Sequence, residues 1–164
     1  MTGEVWDDES VPWASPEIRQ QYEAALGRFI LAFNELDNLL TEIIETTLER
    51  LDRRDLIKAC AQRNFALKVL TLDLLKSSRE GAAIANVPIT LLKQVAGERN
   101  ALAHGHFDQN PFDGSYDIVV KNVRASYSAE RLDGLTVMAE KALQALRYAS
   151  AAYDFSEPSG QVVT

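Results

Sequence analysis

Residues 15–51 read SPEIRQQYEAALGRFILAFNELDNLLTEIIETTLERL, and this stretch decides the fold. It opens on Ser15, Pro16 and Glu17, which suit a helix start: a hydroxyl can cap free N–H groups, proline has none to satisfy, and an acid favours the positive end of the helix dipole. Apolar side chains then recur every three or four residues along one stripe as far as Leu51. The pattern predicts one long amphipathic helix that buries its stripe against several neighbours.

Shorter periodic segments follow the long helix. A second helical stretch is predicted over residues 56–76 and a third over residues 88–104, which a glycine ends. Residues 106–123 change to alternation around an Asp-Gly turn signal, which indicates a small β-hairpin, and a serine opens a last helix over residues 128–153. The predicted fold class is therefore all-α, a four- to five-helix bundle with a long first helix and a small β-hairpin insertion before the last helix.

The composition indicates one soluble domain. The chain has 164 residues, one cysteine, two histidines and a net charge of −7, and a chain of this length buries a core without a disulfide or a metal. Since zinc-site, phosphate-loop and membrane-helix patterns are missing from the sequence, we expect no metal, no cofactor and no membrane partner, and a cytoplasmic location. We expect an acidic N-terminal arm over residues 1–14, a helical domain over residues 15–153 and a disordered C-terminal tail over residues 154–164.

Charge is unevenly distributed along the helical domain. Residues 16–49 contain seven acids and two bases, whereas residues 50–79 contain eight bases and three acids. A basic second helix could follow an RNA backbone, and the RNA-binding candidates in it are Arg53, Arg54, Lys58 and Arg63. The same polarity could equally be charge complementarity between neighbouring helices, and both interpretations stay open.

The stretch with the most chemical content is ERNALAHGH at residues 98–106. On a helix, Arg99 falls within the apolar stripe, so its guanidinium needs a partner. A structural ion pair with Glu35 or Asp37 of the first helix is one interpretation, because buried arginines commonly join two helices in this way.

His104 ends the same helix, and Asn100 lies four residues before it, so the two side chains can lie side by side. For His104 the alternative to a chemical role is a C-terminal cap on free carbonyls, and for His106 a plain surface position is favoured. Five residues on a helix correspond to about 140° of rotation. Arg99 and His104 of one chain are therefore expected to diverge, which favours a site shared between two chains.

Arg99 and His104, separated by four residues, resemble the R-x4-H signature of the HEPN superfamily of helical bundles, and Arg-Asn-x-Leu-Ala-His-Gly is a form that this signature often takes. The resemblance extends over residues 15–153, with FNELDNLL at residues 33–40, FALKV at residues 65–69, then the motif and a closing helix. It implies metal-independent RNA cleavage at a cleft between two protomers, hence a homodimer with an RNA substrate.

Carried over to this chain, the resemblance implies that Arg99 binds the scissile phosphate and that His104 is the general acid or base on the 2′-hydroxyl or the leaving oxygen. Asn100 would position one or the other. An antitoxin or nucleotidyltransferase partner is also implied, as in a toxin–antitoxin or phage-defence pair. The alternative is a non-catalytic helical adaptor or regulator that binds a protein or nucleotide, since mannitol operon repressor proteins carry a similar Arg-Asn-x-x-Ala-His run.

Overall fold

The computed structural model describes residues 14–157. Over this range the helices are α1 (Pro16–Arg50), α2 (Ile57–Cys60), α3 (Phe65–Leu75), α4 (Ile89–His104) and α5 (Ala129–Asp154), the strands are β1 (His106–Gln109), β2 (Tyr116–Val120) and β3 (Val123–Ser126), and short 3₁₀ turns occupy Arg54–Leu56 and Gly81–Ile84. The predicted helical bundle with a long first helix and a β element before the last helix is confirmed. Apart from Ala14 and residues 154–157, the predicted arm and tail lie outside the described residues.

α1 and α5 form the central pair of the bundle. They run in the same direction, because Arg28 pairs with Asp133 near the start of α5 at 2.7 Å and Thr47 bonds Tyr153 near its end at 2.8 Å. The apolar stripe of α1 is the centre of the core, and five of its large members are at most 1% exposed: Phe29, Leu36, Leu40, Ile43 and Ile44. Burial of each such side chain stabilises the fold by roughly 1.5–3 kcal/mol relative to leaving it exposed, so this stripe is the surface on which the bundle packs. Within residues 14–157 no helix is both long and apolar enough to cross a membrane.

The second helical stretch is not continuous, and its prediction as a single helix is wrong. After α1 the chain turns at Asp52, whose φ is 59°, passes through the four-residue α2 and breaks before α3. Asn64 caps α3, since its side chain accepts a first-turn N–H at 3.0 Å. Apolar spacing continues across the break, so periodicity alone does not reveal it. As a result α3 begins beside the middle of α1, where the ring centroids of Phe33 and Phe65 lie 4.7 Å apart.

Helix ends are capped less regularly than the sequence predicts. Ser15 stands at the N-cap of α1 with extended backbone, but its side chain makes no cap hydrogen bond. Ser128 behaves as predicted, because its hydroxyl accepts the N–H of Arg131 at 3.1 Å at the start of α5. A side-chain hydrogen bond therefore helps fix the start of α5, whereas the start of α1, where residues 15–21 are exposed, has no such cap bond.

The β element has three antiparallel strands in the order β1-β2-β3, one more than a hairpin. The predicted Asp-Gly turn is present between β1 and β2: Gly114 has a φ of 72°, and Asp113 accepts the N–H of Ser115 at 2.8 Å. The second turn uses Lys121 and Asn122, both at positive φ. These two residues provide a tight two-residue turn without glycine, which is why the third strand has no clear signal in the sequence.

Candidate functional site

A cleft of about 450 Å³ opens between the middle of α1, the start of α3 and the end of α4. This volume lies in the range of small-ligand sites, about 300–1,000 Å³. Its lining residues are Phe33, Asp37, Asn64, Phe65, Ala66, Arg99, Asn100 and His104. The three residues of the motif thus border the same cleft. Because the N-terminus of α3 also lies there, its helix dipole adds partial positive charge that favours an anion.

Arg99 lies over the aromatic floor of this cleft, which Phe33 and Phe65 form. Its Cζ atom lies 5.5 Å from the ring centroid of Phe33, within the range of a cation–π contact. Phe33 packs in turn against Phe65. The half-buried arginine therefore places its guanidinium over an aromatic ring at the cleft.

The interpretation that Arg99 pairs with Glu35 or Asp37 is wrong in this structure. Glu35 accepts a hydrogen bond from Arg147 of α5, and Asp37 pairs with Lys68 of α3 at 2.7 Å. Among residues 14–157 no carboxylate lies within ion-pair distance of Arg99. The physical reason is the position of these two carboxylates along α1, which places them beside Arg147 of α5 and Lys68 of α3. The guanidinium therefore keeps its N–H donors for a group that the described chain does not supply.

His104 and Asn100 are exposed on the last turns of α4. The helix ends because Gly105 takes extended backbone, with φ −79° and ψ 157°, while its N–H still bonds the carbonyl of Ala101 at 2.8 Å. A Cβ atom at Gly105 would lie 2.1 Å from the Ile118 side chain of β2, so only glycine fits this close approach. Packing of the sheet on the end of α4 thus sets the position of His104.

The expected divergence of Arg99 and His104 within one chain is not observed, since both border the one cleft. The rotation of about 140° between two positions describes Cβ directions, whereas the long arginine side chain bends back over Phe33. A second protomer is therefore not needed to bring these two groups to one site. His106 begins β1 and is exposed, as expected for a surface position.

Glu98, the first residue of the motif stretch, has a structural role that the sequence does not reveal. Its carboxylate accepts a hydrogen bond from the Tyr127 hydroxyl at 2.5 Å and pairs with Arg131 at 3.1 Å, and the Arg131 guanidinium lies 3.8 Å from the Tyr127 ring centroid. Burial, together with the hydrogen bond to Glu98, raises the pKa of Tyr127 to about 12. This cluster ties α4 to the start of α5 just before the site.

The four RNA-binding candidates are not gathered at the cleft. Arg53 pairs with Asp55 at 2.9 Å and Arg54 with Glu49 at 3.5 Å. Both follow the end of α1, about 20 Å along that helix from Asp37 by the helical rise. Lys58 is exposed on α2, and Arg63 immediately precedes Asn64 of the cleft while donating to the carbonyl of Ala59 at 2.9 Å.

Charge complementarity between residues 16–49 and residues 50–79 accounts for part of their opposite charge. Five bases from residues 50–79 have a carboxylate within 4.0 Å in the structure: Arg50, Arg53, Arg54, Lys68 and Arg79. Two of their partners, Asp37 and Glu49, belong to the acidic α1. An RNA-binding role for this segment therefore stays a prediction that depends mainly on Lys58 and Arg63.

Several residues of the cleft lie outside the sequence-based prediction. The sequence pattern predicts Phe33 and Phe65 to be core aromatics at helical spacing and Asn64 to lie inside a helix. The available signal was Asn64 itself, a good N-cap residue directly before an apolar run. Next to the cleft, α3 also exposes an apolar ridge made by Leu67, Leu70 and Leu74.

Neither a metal-binding group nor a similar protein identifies the function of the cleft. In the described part of the chain, no group of three or more His, Cys, Asp or Glu side chains is placed to hold a metal ion. No family model, curated protein or solved structure matches the chain. The cleft and the resemblance of its motif to the R-x4-H signature are therefore the basis of a functional proposal.

Proposed function

We propose that this protein is a metal-independent endoribonuclease of the HEPN type, with Arg99, His104 and Asn100 as its active-site residues. One observation carries the proposal: a guanidinium without a carboxylate partner in the described chain borders the same cleft as an exposed histidine. A planar cation with free donors matches a phosphodiester, and a histidine exchanges protons near neutral pH.

The proposed reaction is attack of the 2′-oxygen on the adjacent phosphorus, with breakage of the bond to the 5′-oxygen. Arg99 binds the non-bridging phosphate oxygens and stabilises the charge that grows on them. His104 takes the proton from the 2′-hydroxyl or gives one to the leaving 5′-oxygen, and the exposed Asn100 orients the nucleotide or His104. The products are a 2′,3′-cyclic phosphate and a free 5′-hydroxyl.

The homodimer and its partner are part of the same proposal. The motif resemblance supports a cleft completed by a second protomer, and the uncharged leucine ridge of α3 beside the cleft is compatible with it. An antitoxin or nucleotidyltransferase partner would control access to the cleft. Light scattering in solution is expected to give twice the 18.2 kDa mass of one chain.

The decisive test is cleavage of a labelled single-stranded RNA by the purified protein in excess EDTA, free of copurified protein. The wild-type chain is expected to cleave it, and His104→Ala to lower the rate by about 10²–10⁴-fold. His106→Ala is the matched control, because the second histidine is exposed two residues later on β1, and it should retain activity. Equal integrity of the RNA with wild type and His104→Ala at high protein concentration rejects catalysis.

A non-catalytic helical adaptor or regulator is the second candidate. The specific observation in its favour is the same exposed leucine ridge, since such patches mark protein interaction surfaces. This candidate predicts intact RNA at every protein concentration together with capture of a protein or nucleotide partner. A cleavage activity that depends on His104 would exclude it.

A further inference from the structure

Asp37 is the one carboxylate that lines the cleft in the described chain. Its side chain is 34% exposed, and its Oδ1 atom accepts a hydrogen bond from Lys68 Nζ at 2.7 Å. Within residues 14–157 the second oxygen, Oδ2, accepts no hydrogen bond. One oxygen is thus held by the protein and the other stays available to a ligand.

Lys68 holds Asp37 in place and neutralises its charge. The Lys68 side chain is 9% exposed, and its ammonium also donates to Thr41 Oγ1 at 2.7 Å, while the Thr41 hydroxyl donates to the backbone carbonyl of Asp37 at 2.8 Å. This clamp fixes the aspartate on α1 and leaves the positive charge of Arg99 uncompensated across the cleft. A phosphate can therefore bind at Arg99 without net repulsion from Asp37.

A carboxylate beside a phosphate site can form hydrogen bonds only with donor groups of a ligand, because an ionised aspartate accepts hydrogen bonds and donates none. The phosphodiester offers no donor, whereas the ribose next to it offers the 2′-hydroxyl, which DNA lacks. An acceptor held at the floor of the cleft is thus placed to distinguish the two sugars. Only Oδ2 has to exchange water for the ligand, since Oδ1 is already bonded to Lys68.

We propose that Asp37 is the specificity-determining residue that accepts a hydrogen bond from a 2′-hydroxyl of the RNA bound at Arg99. The inference rests on the proposed function, since it assumes that the cleft binds a ribonucleotide chain. It adds the basis on which the cleft selects RNA over a chain without 2′-hydroxyl donors. The aspartate acts through Oδ2, and the hydrogen bond from Lys68 to Oδ1 holds it in this orientation.

The test measures binding in the cleavage-deficient His104→Ala background by fluorescence anisotropy. The probes are two labelled single-stranded oligonucleotides of one sequence, one all-ribose and one all-2′-fluoro, since the fluoro sugar keeps a similar pucker but donates no hydrogen bond. The His104→Ala protein should bind the ribose probe about tenfold tighter, as expected for the loss of one hydrogen bond to a charged acceptor. Adding Asp37→Asn should reduce this preference to within about twofold, because the oxygen of the introduced amide can still accept from Lys68 while its nitrogen donates to the cleft.

Glu35→Gln in the same background is the matched control, because Glu35 is an exposed α1 carboxylate bound to Arg147 away from the cleft, and it should keep the full preference. Equal affinity for the two probes overturns the proposal without depending on the folding of any Asp37 variant. A preference for the ribose probe that Asp37→Asn leaves unchanged overturns it as well.

Failure of this inference is separable from failure of the proposed function. RNA binding that Arg99→Ala abolishes but that shows no preference for ribose would reject the role of Asp37 and keep the phosphate site. Absence of any Arg99-dependent RNA binding would reject both.

Discussion

Two arginines lie against aromatic rings at two levels of α1, and they differ in their polar partners. Arg50, at the end of α1, lies 5.1 Å from the Tyr153 ring centroid, pairs with Glu80 at 2.8 Å and donates to the carbonyl of Ser156 at 2.9 Å. Arg99 lies 5.5 Å from the Phe33 ring centroid, yet no described carboxylate approaches it. An arginine that binds a buried carboxylate and backbone carbonyls is a structural residue, whereas one that contacts only a ring is available for a ligand.

Two tyrosines repeat this contrast. The Tyr153 hydroxyl, beside Arg50, bonds Thr47 at 2.8 Å and the carbonyl of Glu80 at 3.0 Å. Tyr22, toward the other end of α1, stacks on Tyr116 with centroids 3.9 Å apart, and its buried hydroxyl has no hydrogen-bond partner in the described residues. The tyrosine hydroxyl at the C-terminal end of α1 is thus held by hydrogen bonds, whereas Tyr22 toward the N-terminal end is held by packing.

The largest effect expected from this contrast is on the stability of arginine variants. Arg50→Ala removes the cation from a carboxylate that is 2% exposed, and loss of one member of a buried pair costs about 3–5 kcal/mol. Arg99→Ala removes only a cation–π contact, worth about 0.5–1 kcal/mol, while lowering RNA cleavage at least about a hundredfold. Urea unfolding followed by circular dichroism measures both changes.

The arginine comparison breaks down if the two variants lose equal stability. That result would mean that Arg99 is held by a structural partner, as the sequence alone suggested. Equal stability losses with unchanged cleavage in Arg99→Ala would also remove the basis of the proposed active site.

The next effect concerns how packing positions the cleft. Gly105→Ala places a methyl group 2.1 Å from Ile118 Cγ2 and 2.6 Å from the backbone oxygen of Ala101, so the end of α4 or the sheet must shift. Such overpacking typically costs about 1–3 kcal/mol, and the shift should also lower cleavage by moving His104. Thermal unfolding and RNA cleavage measure the two consequences.

Gly97→Ala is the matched control for Gly105→Ala, since it lies on the same helix with open space where the methyl group would be. It should raise the free energy of unfolding by about 0.5–1 kcal/mol through helix propensity and leave cleavage unchanged. If Gly105→Ala behaves like Gly97→Ala, packing of the sheet does not position the site.

These contrasts also show which parts of the molecule can be predicted from sequence. The extent of α1 and α4 follows from local periodicity, and the Asp-Gly turn follows from its residue types. The break before α3 and the turn at Lys121 and Asn122 lack a strong local signal, because apolar spacing continues across the first and no glycine marks the second. Periodicity reports which face is buried but not where a helix is interrupted.

The site divides in the same way between local and long-range information. The spacing of Arg99, Asn100 and His104 is local and could be recognised as a motif. The partners of Asp37 and Arg99 depend on how α1, α3 and α4 align, which residue spacing does not specify. The sequence therefore locates the motif side chains at the cleft, but it does not specify the ion pairs of Glu35 and Asp37 or the aromatic residues next to Arg99.

The smallest expected effects are those of the two tyrosine hydroxyls, and they have opposite signs. Tyr153→Phe removes the partner of Thr47 and of a buried carbonyl, so it should lower the free energy of unfolding by about 1–2 kcal/mol. Tyr22→Phe removes a buried hydroxyl without a described partner, so it should leave stability unchanged or raise it by up to about 1 kcal/mol. Urea unfolding at neutral pH compares them, and a loss in Tyr22→Phe as large as in Tyr153→Phe would contradict the contrast between the two ends.

Alkaline pH sharpens the tyrosine comparison. Burial raises the pKa of Tyr22 from 10.0 to about 12, so the folded state holds its proton more tightly than the unfolded state does. The corresponding contribution to stability is complete below pH 10 and is lost as the pH rises toward about 12. The free energy of unfolding should therefore fall across this interval, and less steeply in Tyr22→Phe, because phenylalanine has no proton to lose. An unchanged slope in Tyr22→Phe would show that Tyr22 reaches water before the bundle unfolds, and packing would then not shield its hydroxyl as it does in this structure.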